Sequence, residues 1–283
     1  MCAAPAPALA PAADWIKHLP QAGKIERIEA YFRGHGYDPH RHDTYAIGHT
    51  LSGVQGFRYR GAMRHSLPGG TLVLHPDEMH DGHAGTDVRF RYRTIYVEPA
   101  LLQSALGGKP LPFIEHAISH DPRLFAATRR LLQEDSDHRD ALARDDALFD
   151  LTNALQAAAG ARRSRHVADF PAAERARQYL HDMFGNGGGV GITLDALAEA
   201  AGRDRWQLCR DFRVLYGTSP YRYLTQRRLE LARNLMSSGT RILDAALLAG
   251  FADQSHMTRH FKQSYGLPPG RWSDMLGNQA ALR

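Results

Sequence analysis

Residues 194–217 read LDALAEAAGRDRWQLCRDFRVLYG, and residues 243–266, 49 positions further on, read LDAALLAGFADQSHMTRHFKQSYG. In each stretch, a short apolar segment with helical spacing leads to a glycine, an aspartate and a second helical segment that ends in Tyr-Gly. Each stretch therefore predicts a helix-turn-helix, the first over about residues 194–216 and the second over about residues 242–265.

Turn and capping residues mark the ends of these predicted helices. Glycines are expected in the turns and after the second helices, and Thr or Asp at the start of each helix. The predicted turn glycines are Gly202 and Gly250, and the predicted C-terminal glycines are Gly217 and Gly266. The predicted N-caps are Thr193, Asp204, Thr240 and Asp253. Leu208 and Phe212 in the first copy match Met257 and Phe261 in the second, and we expect all four to face a core.

The remaining faces of the two second helices are polar and basic. In a helix-turn-helix, the start of the second helix enters the major groove, where Arg pairs with guanine and Gln with adenine. The candidate DNA-binding residues are Arg205, Trp206, Gln207, Arg210 and Arg213, and Gln254, Ser255, His256, Arg259 and Lys262. Any one of them alone is better explained as part of a solvated face. The alternative for the doubled module is a helical bundle that binds no DNA, which the repeated turn residues, the basic charge and the polar faces disfavour.

The positive charge of the chain lies in its second part. Residues 171–283 carry 15 Lys and Arg against 10 Asp and Glu, whereas residues 1–170 carry 20 of each. A basic half beside a neutral half favours a polyanionic partner. The two cysteines, Cys2 and Cys209, are far apart, which favours a reducing compartment. The N-terminus does not resemble a signal peptide, and no apolar run is long enough to span a membrane. We therefore expect a cytoplasmic protein.

Composition and periodicity divide the chain into five parts. Short apolar or alternating runs separated by turn signals predict a β-sandwich or barrel over residues 22–99, after a flexible tail over residues 1–21. Residues 100–160 are predicted to be helical, and residues 161–170 to be a linker before a basic helical module over residues 171–283. Helices are expected at Pro99–Leu106, Pro122–Asp135 and Asp140–Ala159. The apolar stripe of the last one fits either intramolecular packing or an oligomer interface.

Histidines cluster in the predicted barrel. His40 and His42 are expected to share one face of a strand, and His80 to join them from a neighbouring strand, with Tyr45 nearby. Three histidines around one cavity suit hydrogen bonding to a small effector or ligation of zinc or iron. They also suit hydrogen bonding to the backbone of the barrel itself. We take His40, His42, Tyr45 and His80 as candidate effector-binding residues, with no metal or cofactor assigned.

Two longer patterns resemble known families. The pair His40 and His42, and the stretch from Gly70 through Pro76 to His80, resemble the two signature stretches of a cupin barrel, although Ala46 and Ile47 stand where the first stretch has a glutamate. The module resembles the AraC/XylS family of bacterial transcription regulators. The segments that carry this resemblance are WQLCRDFRVLYGTSPYRYL from residue 206, RRLELAR from residue 227, AGFADQSHMTRHFK from residue 249 and PPGRW from residue 268.

The resemblance implies an α+β multidomain protein. It combines an N-terminal cupin-like β-barrel and helical arm with a C-terminal all-α module of seven helices carrying two helix-turn-helix motifs. Trp206, Arg210, Gln254 and Arg259 occupy positions where family members contact DNA, and Cys209 stands where a longer polar residue is common. The implied protein is a regulator and not an enzyme, with double-stranded DNA, a small-molecule effector, a second copy and RNA polymerase as partners. The alternatives are a metal-dependent cupin enzyme and a ligand-free barrel that only dimerises.

Overall fold

The computed structural model describes residues 14–20, 24–133, 141–159, 167–185 and 191–277. A sheet-rich N-terminal part is followed by a helical C-terminal part, as the fold-class prediction requires. Most of the expected tail and residues 161–166 of the expected linker lie outside the described residues. Within the ranges above, every helix is too short or too polar to cross a membrane.

The N-terminal part consists of two antiparallel sheets. One has the strand order β1-β2-β9-β4-β7-β10 and the other the order β3-β8-β5-β6. The strands are β1 (Trp15–His18), β2 (Glu26–Phe32), β3 (His35–His40), β4 (Tyr45–Ser52), β5 (Gln55–Tyr59), β6 (Ala62–Ser66), β7 (Thr71–Leu74), β8 (His80–Ala84), β9 (Phe90–Val97) and β10 (Ile118–Ser119). Phe57 of β5 packs in one buried cluster with Ala46 of β4 and Leu72 of β7, so the two sheets face each other across a shared interior.

Two short strands correct the predicted boundaries. Residues 15–18, expected in a flexible tail, form β1 and pair with β2. Ile118 and Ser119, expected in a helical region, form β10 and pair with Leu72 and Thr71 of β7. Both segments are too short to show periodicity, and their pairing partners lie elsewhere in the sequence.

Three helices, α1 (Pro99–Leu106), α2 (Pro122–Leu132) and α3 (Ala141–Ala159), cover the outer face of the larger sheet. Strand residues alternate between the two faces, so Ile47 and Ile95 point outward into a core shared with Leu151. The apolar stripe of α3 therefore packs within the chain, through its buried positions 147, 151, 154 and 155. The predicted extension of α2 to residue 135 is wrong, because Gln133 already has extended backbone geometry.

The C-terminal part contains seven helices within its described residues. They are α4 (Phe170–Gly185), α5 (Leu194–Ala201), α6 (Arg205–Tyr216), α7 (Pro220–Ser237), α8 (Ile242–Leu248), α9 (Gln254–Tyr265) and α10 (Pro269–Gly277). The predicted bounds of α5, α6 and α9 are confirmed. Leu208 and Phe212 are buried in one core and Met257 and Phe261 in a second, so each helix-turn-helix has a core of its own.

The capping prediction holds at three of four positions. Thr193, Asp204 and Asp253 accept backbone N–H bonds at the starts of α5, α6 and α9. The prediction of Thr240 as the N-cap of α8 is wrong, because Arg241 occupies that position. Among the described residues, the Arg241 side chain makes no capping hydrogen bond. The Arg241 guanidinium instead pairs with Asp244, 2.8 Å away.

Candidate functional site

The starts of α6 and α9 present polar faces to solvent. The Asp204 carboxylate accepts hydrogen bonds from the backbone N–H groups of Trp206 and Gln207, each at 3.0 Å. The Asp253 carboxylate accepts from the N–H of His256 at 2.7 Å. Since one side of each helix is fixed in a core, the other side is exposed. The exposed candidate DNA-binding residues are Arg205, Trp206, Gln207, Arg210, Arg213, Gln254, Ser255, Arg259 and Lys262.

Two candidates on α9 are already engaged within the chain. His256 is half-buried, and its Nε2 atom lies 3.1 Å from Nε2 of His260. The Lys262 ammonium lies 2.8 Å from the Asp38 carboxylate of β3. The start of α9 is therefore open, while its end contacts the barrel.

A cavity of about 90 Å³ lies inside the barrel, counted as the space open to the centre of a water-sized sphere. That volume holds several water molecules or a small ligand. The wall combines histidines, tyrosines and apolar side chains of both sheets. Its barrel lining includes His40, His42, His80, Phe57, Leu72, Leu74, Tyr92 and Tyr96.

Helices of the C-terminal part complete this cavity wall. Gln226, Glu230 and Arg233 of α7 line the cavity together with Tyr265 of α9 and Trp272 of α10. One cavity is therefore shared between the barrel and the helical module. Sequence reasoning missed this shared wall, because nothing in the local pattern of α7 indicates which surface it packs against.

Three histidines meet at the cavity, as the strand pattern predicts. His40, at the end of β3, is paired in register with His80 of β8, and their ring centroids are 4.2 Å apart. His42 follows in the connection to β4, with its ring centroid 4.9 Å from that of His80. The expected location of His42 on the strand is wrong, since β3 ends at His40.

Burial keeps these imidazoles neutral. Removal from water lowers the pKa of His42 to about 3 and that of His80 to about 4, with the neighbouring His80 ring adding to the shift of His42. Burial and the other two rings also hold the pKa of His40 well below its usual value. At neutral pH each ring therefore carries one proton and one lone pair.

The prediction that Tyr45 lines the cavity is wrong. It is 1% exposed and lies in the core between the larger sheet and the helices, on the opposite face of β4 from Ala46. Its hydroxyl donates to the Pro112 carbonyl oxygen at 2.7 Å. Strand alternation places Thr44 and Ala46 at the cavity and turns Tyr45 outward.

Buried ion pairs join the module to the barrel. The Arg227 guanidinium of α7 lies 3.0 Å from Asp43, 2.7 Å from Glu98 and 3.0 Å from Glu230. Burial raises the pKa of Asp43 to about 6, against the opposing effect of Arg227. Asp43 and Glu98 are distant from Arg227 in sequence, so the local pattern of α7 does not predict these two ion pairs.

A second, partly buried ion pair lies at the cavity wall. The Arg233 guanidinium donates to the Glu26 carboxylate at 2.7 Å. Although burial alone would raise it, the pKa of Glu26 is lowered to about 2 by Arg233 and by His18. The pair therefore stays ionised, and both of its side chains face the cavity.

The glycines that end the two exposed helices touch the barrel. Gly217 after α6 and Gly266 after α9 have φ values of +73° and +68°, in the left-handed region. A Cβ atom at residue 217 would lie 2.6 Å from Cβ of Pro76, and one at residue 266 would lie 2.7 Å from the Asp38 carbonyl oxygen. The ends of both helices are thus fitted closely against the barrel.

The two parts of the chain match two family models. Residues 22–152 match the AraC-like ligand binding domain, and residues 197–275 match a helix-turn-helix domain. The two matches cover the barrel with its helices and the doubled helix-turn-helix, respectively.

Of three similar curated proteins, two are named as transcription regulators or transcription factors. The chain is 28% identical over 247 residues to the uncharacterized HTH-type transcriptional regulator YbfI of Bacillus subtilis, covering 81% of this chain and 86% of YbfI. It is 33% identical over 94 residues to the multiple antibiotic resistance protein MarA of Escherichia coli, covering 32% of this chain and 74% of MarA. It is 35% identical over 85 residues to the probable transcription factor PqrA of Proteus vulgaris, covering 30% of this chain and 70% of PqrA.

Solved structures share the whole fold. The crystal structure of ToxT from Vibrio cholerae O395 has a TM-score of 0.63 at 12% identity, covering 90% of this chain and 98% of ToxT. ToxT from Vibrio cholerae strain SCE256, solved with an unsaturated fatty acid bound, has a TM-score of 0.62 at 11% identity. The match covers 89% of this chain and 95% of that ToxT chain. At this identity the likeness establishes the fold.

Proposed function

The chain belongs to the AraC family of transcriptional regulators, and from this premise we propose that α6 and α9 read a specific DNA site under the control of a small molecule in the barrel cavity. The family assigns the chain a helix-turn-helix DNA-binding domain and a ligand-binding domain, and it is a family of regulators rather than enzymes. The observation that carries the proposal is the shared cavity wall, since a ligand there touches both parts at once.

Arg210 and Arg259 are the proposed base readers. They occupy equivalent positions of the two copies, both are exposed, and a guanidinium can donate two hydrogen bonds to guanine O6 and N7. Other candidate residues differ between the copies, since Trp206 and Gln207 of the first copy align with Ser255 and His256 of the second. The two helices therefore read different sequences, and the site consists of two unlike boxes about 10 base pairs apart.

The cavity suits a molecule with one polar end and an apolar body. His40, His42, His80 and Arg233 supply polar groups, whereas Phe57, Leu72 and Leu74 supply apolar surface. ToxT has been solved with an unsaturated fatty acid, which is a ligand of this general kind. For this chain we propose a small amphipathic effector without assigning its identity.

The proposed effector acts on the docking of the module. Lys262, Arg227 and Arg233 are basic residues of the DNA-binding part that pair with carboxylates of the barrel in the docked arrangement. A ligand that prefers one docking arrangement shifts the population toward it, in proportion to its differential affinity. Because Lys262 lies on α9, that shift changes how much positive charge the module offers to DNA.

The test is a thermal-shift screen of the full chain against small metabolites, followed by DNA-binding titrations with each hit. A hit should change the affinity for the selected DNA site in the wild type, and His80→Ala should lose that change while it keeps basal DNA binding. His65→Ala is the matched control, since His65 is exposed on β6. A ligand that stabilises the chain but leaves the DNA affinity unchanged would contradict the control mechanism.

Assembly, partner and compartment follow as parts of the same proposal. Phe149 of α3 is 54% exposed on a helix whose other side packs on the barrel, and we propose this exposed side as the homodimer contact. Contact with RNA polymerase and a cytoplasmic location fit a one-component regulator.

A further inference from the structure

Three neutral imidazoles converge on one point of the cavity wall. His40, His42 and His80 are all buried, and one ring nitrogen of each lies within 4.8 Å of those of the other two. The rings come from the end of β3, the connection after it and the start of β8, so two paired strands fix their spacing.

A backbone carbonyl orients each ring in the same way. Nδ1 of His40 lies 2.8 Å from the Asp38 carbonyl oxygen, Nδ1 of His42 lies 2.8 Å from that of Thr44, and Nδ1 of His80 lies 2.9 Å from that of Glu78. A carbonyl only accepts, so the proton sits on Nδ1 of each ring. The lone pair is therefore on Nε2 in all three histidines.

The Nε2 lone pair of His42 is buried and accepts no hydrogen bond from the residues that the structure describes. An unsatisfied buried acceptor destabilises the folded chain, since it has lost its hydrogen bonds to water. Hydrogen bonding to the barrel backbone therefore accounts for Nδ1 of His42 and leaves the role of its Nε2 atom unexplained.

We propose that His40, His42 and His80 bind one divalent transition-metal ion through their Nε2 atoms, and that the effector is a ligand of this ion. The second half of the proposal rests on the proposed function above, whereas the first half stands on the cluster alone. A carbonyl bonded to Nδ1 is the usual support of a metal-bound histidine, because it fixes both the tautomer and the ring orientation.

The donor set selects the class of ion. Imidazole suits zinc, iron, nickel and copper, whereas magnesium and calcium require oxygen ligands. Nitrogens bound at about 2.0–2.1 Å around a tetrahedral ion lie roughly 3.4 Å apart. The three ring nitrogens now lie within 4.8 Å of one another, so binding of an ion would require the rings to move closer together.

Three protein ligands leave a coordination position open toward the cavity. Ala46 and Ile47 stand near the cluster in sequence where a cupin-like pattern would place a glutamate, so the first stretch supplies no carboxylate. An ion held by three neutral rings retains both of its positive charges, and an anionic oxygen of the effector would neutralise one. The effector class that fits is therefore an anion, such as a carboxylate, that reaches the cavity wall.

The experiment measures metal binding directly, on the full chain without a histidine tag. The chain is stripped with a chelator and titrated with Zn²⁺ by calorimetry and with Co²⁺ by visible absorption. We expect one ion per chain and Co²⁺ ligand-field bands, both lost in His80→Gln and retained in the control His65→Gln. Failure to bind one ion, or equal binding by wild type and His80→Gln, would overturn the metal site.

A second measurement on the wild type covers the case in which His80→Gln does not fold. Nitrogen-15 spectra of the 16 histidines should show Nε2 shifts on Zn²⁺ addition at three rings with fixed Nδ1 protons. Shifts confined to mobile surface histidines would overturn the site. DNA binding by the same stripped and loaded samples separates the two proposals. A chain that binds its DNA site and responds to effector without an ion refutes the contact between effector and ion while it supports the regulator.

Discussion

Single side chains at equivalent positions of the two copies carry the proposed base reading. Arg210→Ala and Arg259→Ala should each weaken binding to the selected site by about 1–3 kcal/mol, because each would remove a bidentate contact to guanine. Fluorescence anisotropy with selected and random duplexes at one salt concentration measures this. Arg241→Ala is the matched control, since Arg241 is exposed but lies outside α9. Equal losses on both duplexes would assign the two arginines to phosphate contacts.

Buried His75 makes the chain sensitive to acid. Burial, and then the Arg60 guanidinium, lower the pKa of His75 to about 3. The unfolded chain therefore binds a proton below about pH 6.5 that the folded chain refuses, and stability falls as the pH falls through this range. Between pH 7 and 5.5 this histidine costs about 1 kcal/mol.

Urea unfolding at the two pH values tests this contribution. His75→Gln should lose about 1 kcal/mol less than the wild type on acidification, because its side chain does not titrate. The carboxyls of Asp43 and Glu230, whose pKa values burial raises, oppose the trend equally in both chains. Identical pH dependence of wild type and His75→Gln would show that His75 is not a buried neutral group.

Residue roles that depend on local chain geometry follow from the sequence, and roles that depend on distant partners do not. Asp204, Asp253, Leu208 and Phe212 were predictable, since caps and helix faces are set within four residues. Tyr45 was misassigned by one step of strand alternation.

At the level of elements, the C-terminal ends of α6 and α9 are built into the docked interface. Gly266→Ala should loosen that interface, because the new Cβ would lie 2.7 Å from the Asp38 carbonyl oxygen and from Nδ1 of His40. Hydrogen exchange of β3 and of α9 should become faster than in the wild type. Gly202→Ala is the matched control, with φ +60° at the end of α5 and its nearest atom at 3.7 Å. If both variants accelerated hydrogen exchange equally, the effect would come from backbone strain at a positive φ and not from a clash with the barrel.

Element existence was predictable wherever the periodic pattern was long. The helices of both helix-turn-helix motifs follow from apolar spacing and flanking glycines, and the bounds of α5, α6 and α9 agree with the prediction. The short strands β1 and β10 were missed, since each is defined by its partner strand and not by its own pattern. Thr240 was misassigned as the N-cap of α8, because a threonine close to a helix start need not occupy the N-cap position, which here is Arg241.

At the level of the whole molecule, the proposed function predicts that the barrel withholds positive charge from DNA. Asp38→Asn removes the carboxylate that pairs with Lys262 of α9 at 2.8 Å. DNA affinity should rise, and the slope of log affinity against log salt should steepen by up to about 1, as expected for one additional phosphate contact. Asp121→Asn is the control, since Asp121 pairs with Arg123 at the start of α2. An unchanged salt slope would show that Lys262 does not contact phosphate.

The shared cavity could not be predicted from the sequence, although both of its halves could. The cupin-like stretches indicate the histidine cluster and the doubled motif indicates the module, yet the packing of Glu230 and Arg233 against the barrel is a long-range property. The ion pairs of Arg227 and Arg233 belong to the same interface. The proposed regulation by a ligand thus depends on the assembled chain rather than on either domain alone.

Selection of DNA duplexes from a randomised pool by the full chain tests whether α6 and α9 recognise one specific DNA site. We predict one enriched, asymmetric site with two unlike boxes about 10 base pairs apart. Arg210→Ala should relax the sequence of one box and Arg259→Ala that of the other. Absence of an enriched sequence, or relaxation of the same positions by both variants, would contradict the proposal that α6 and α9 read separate boxes of one DNA site.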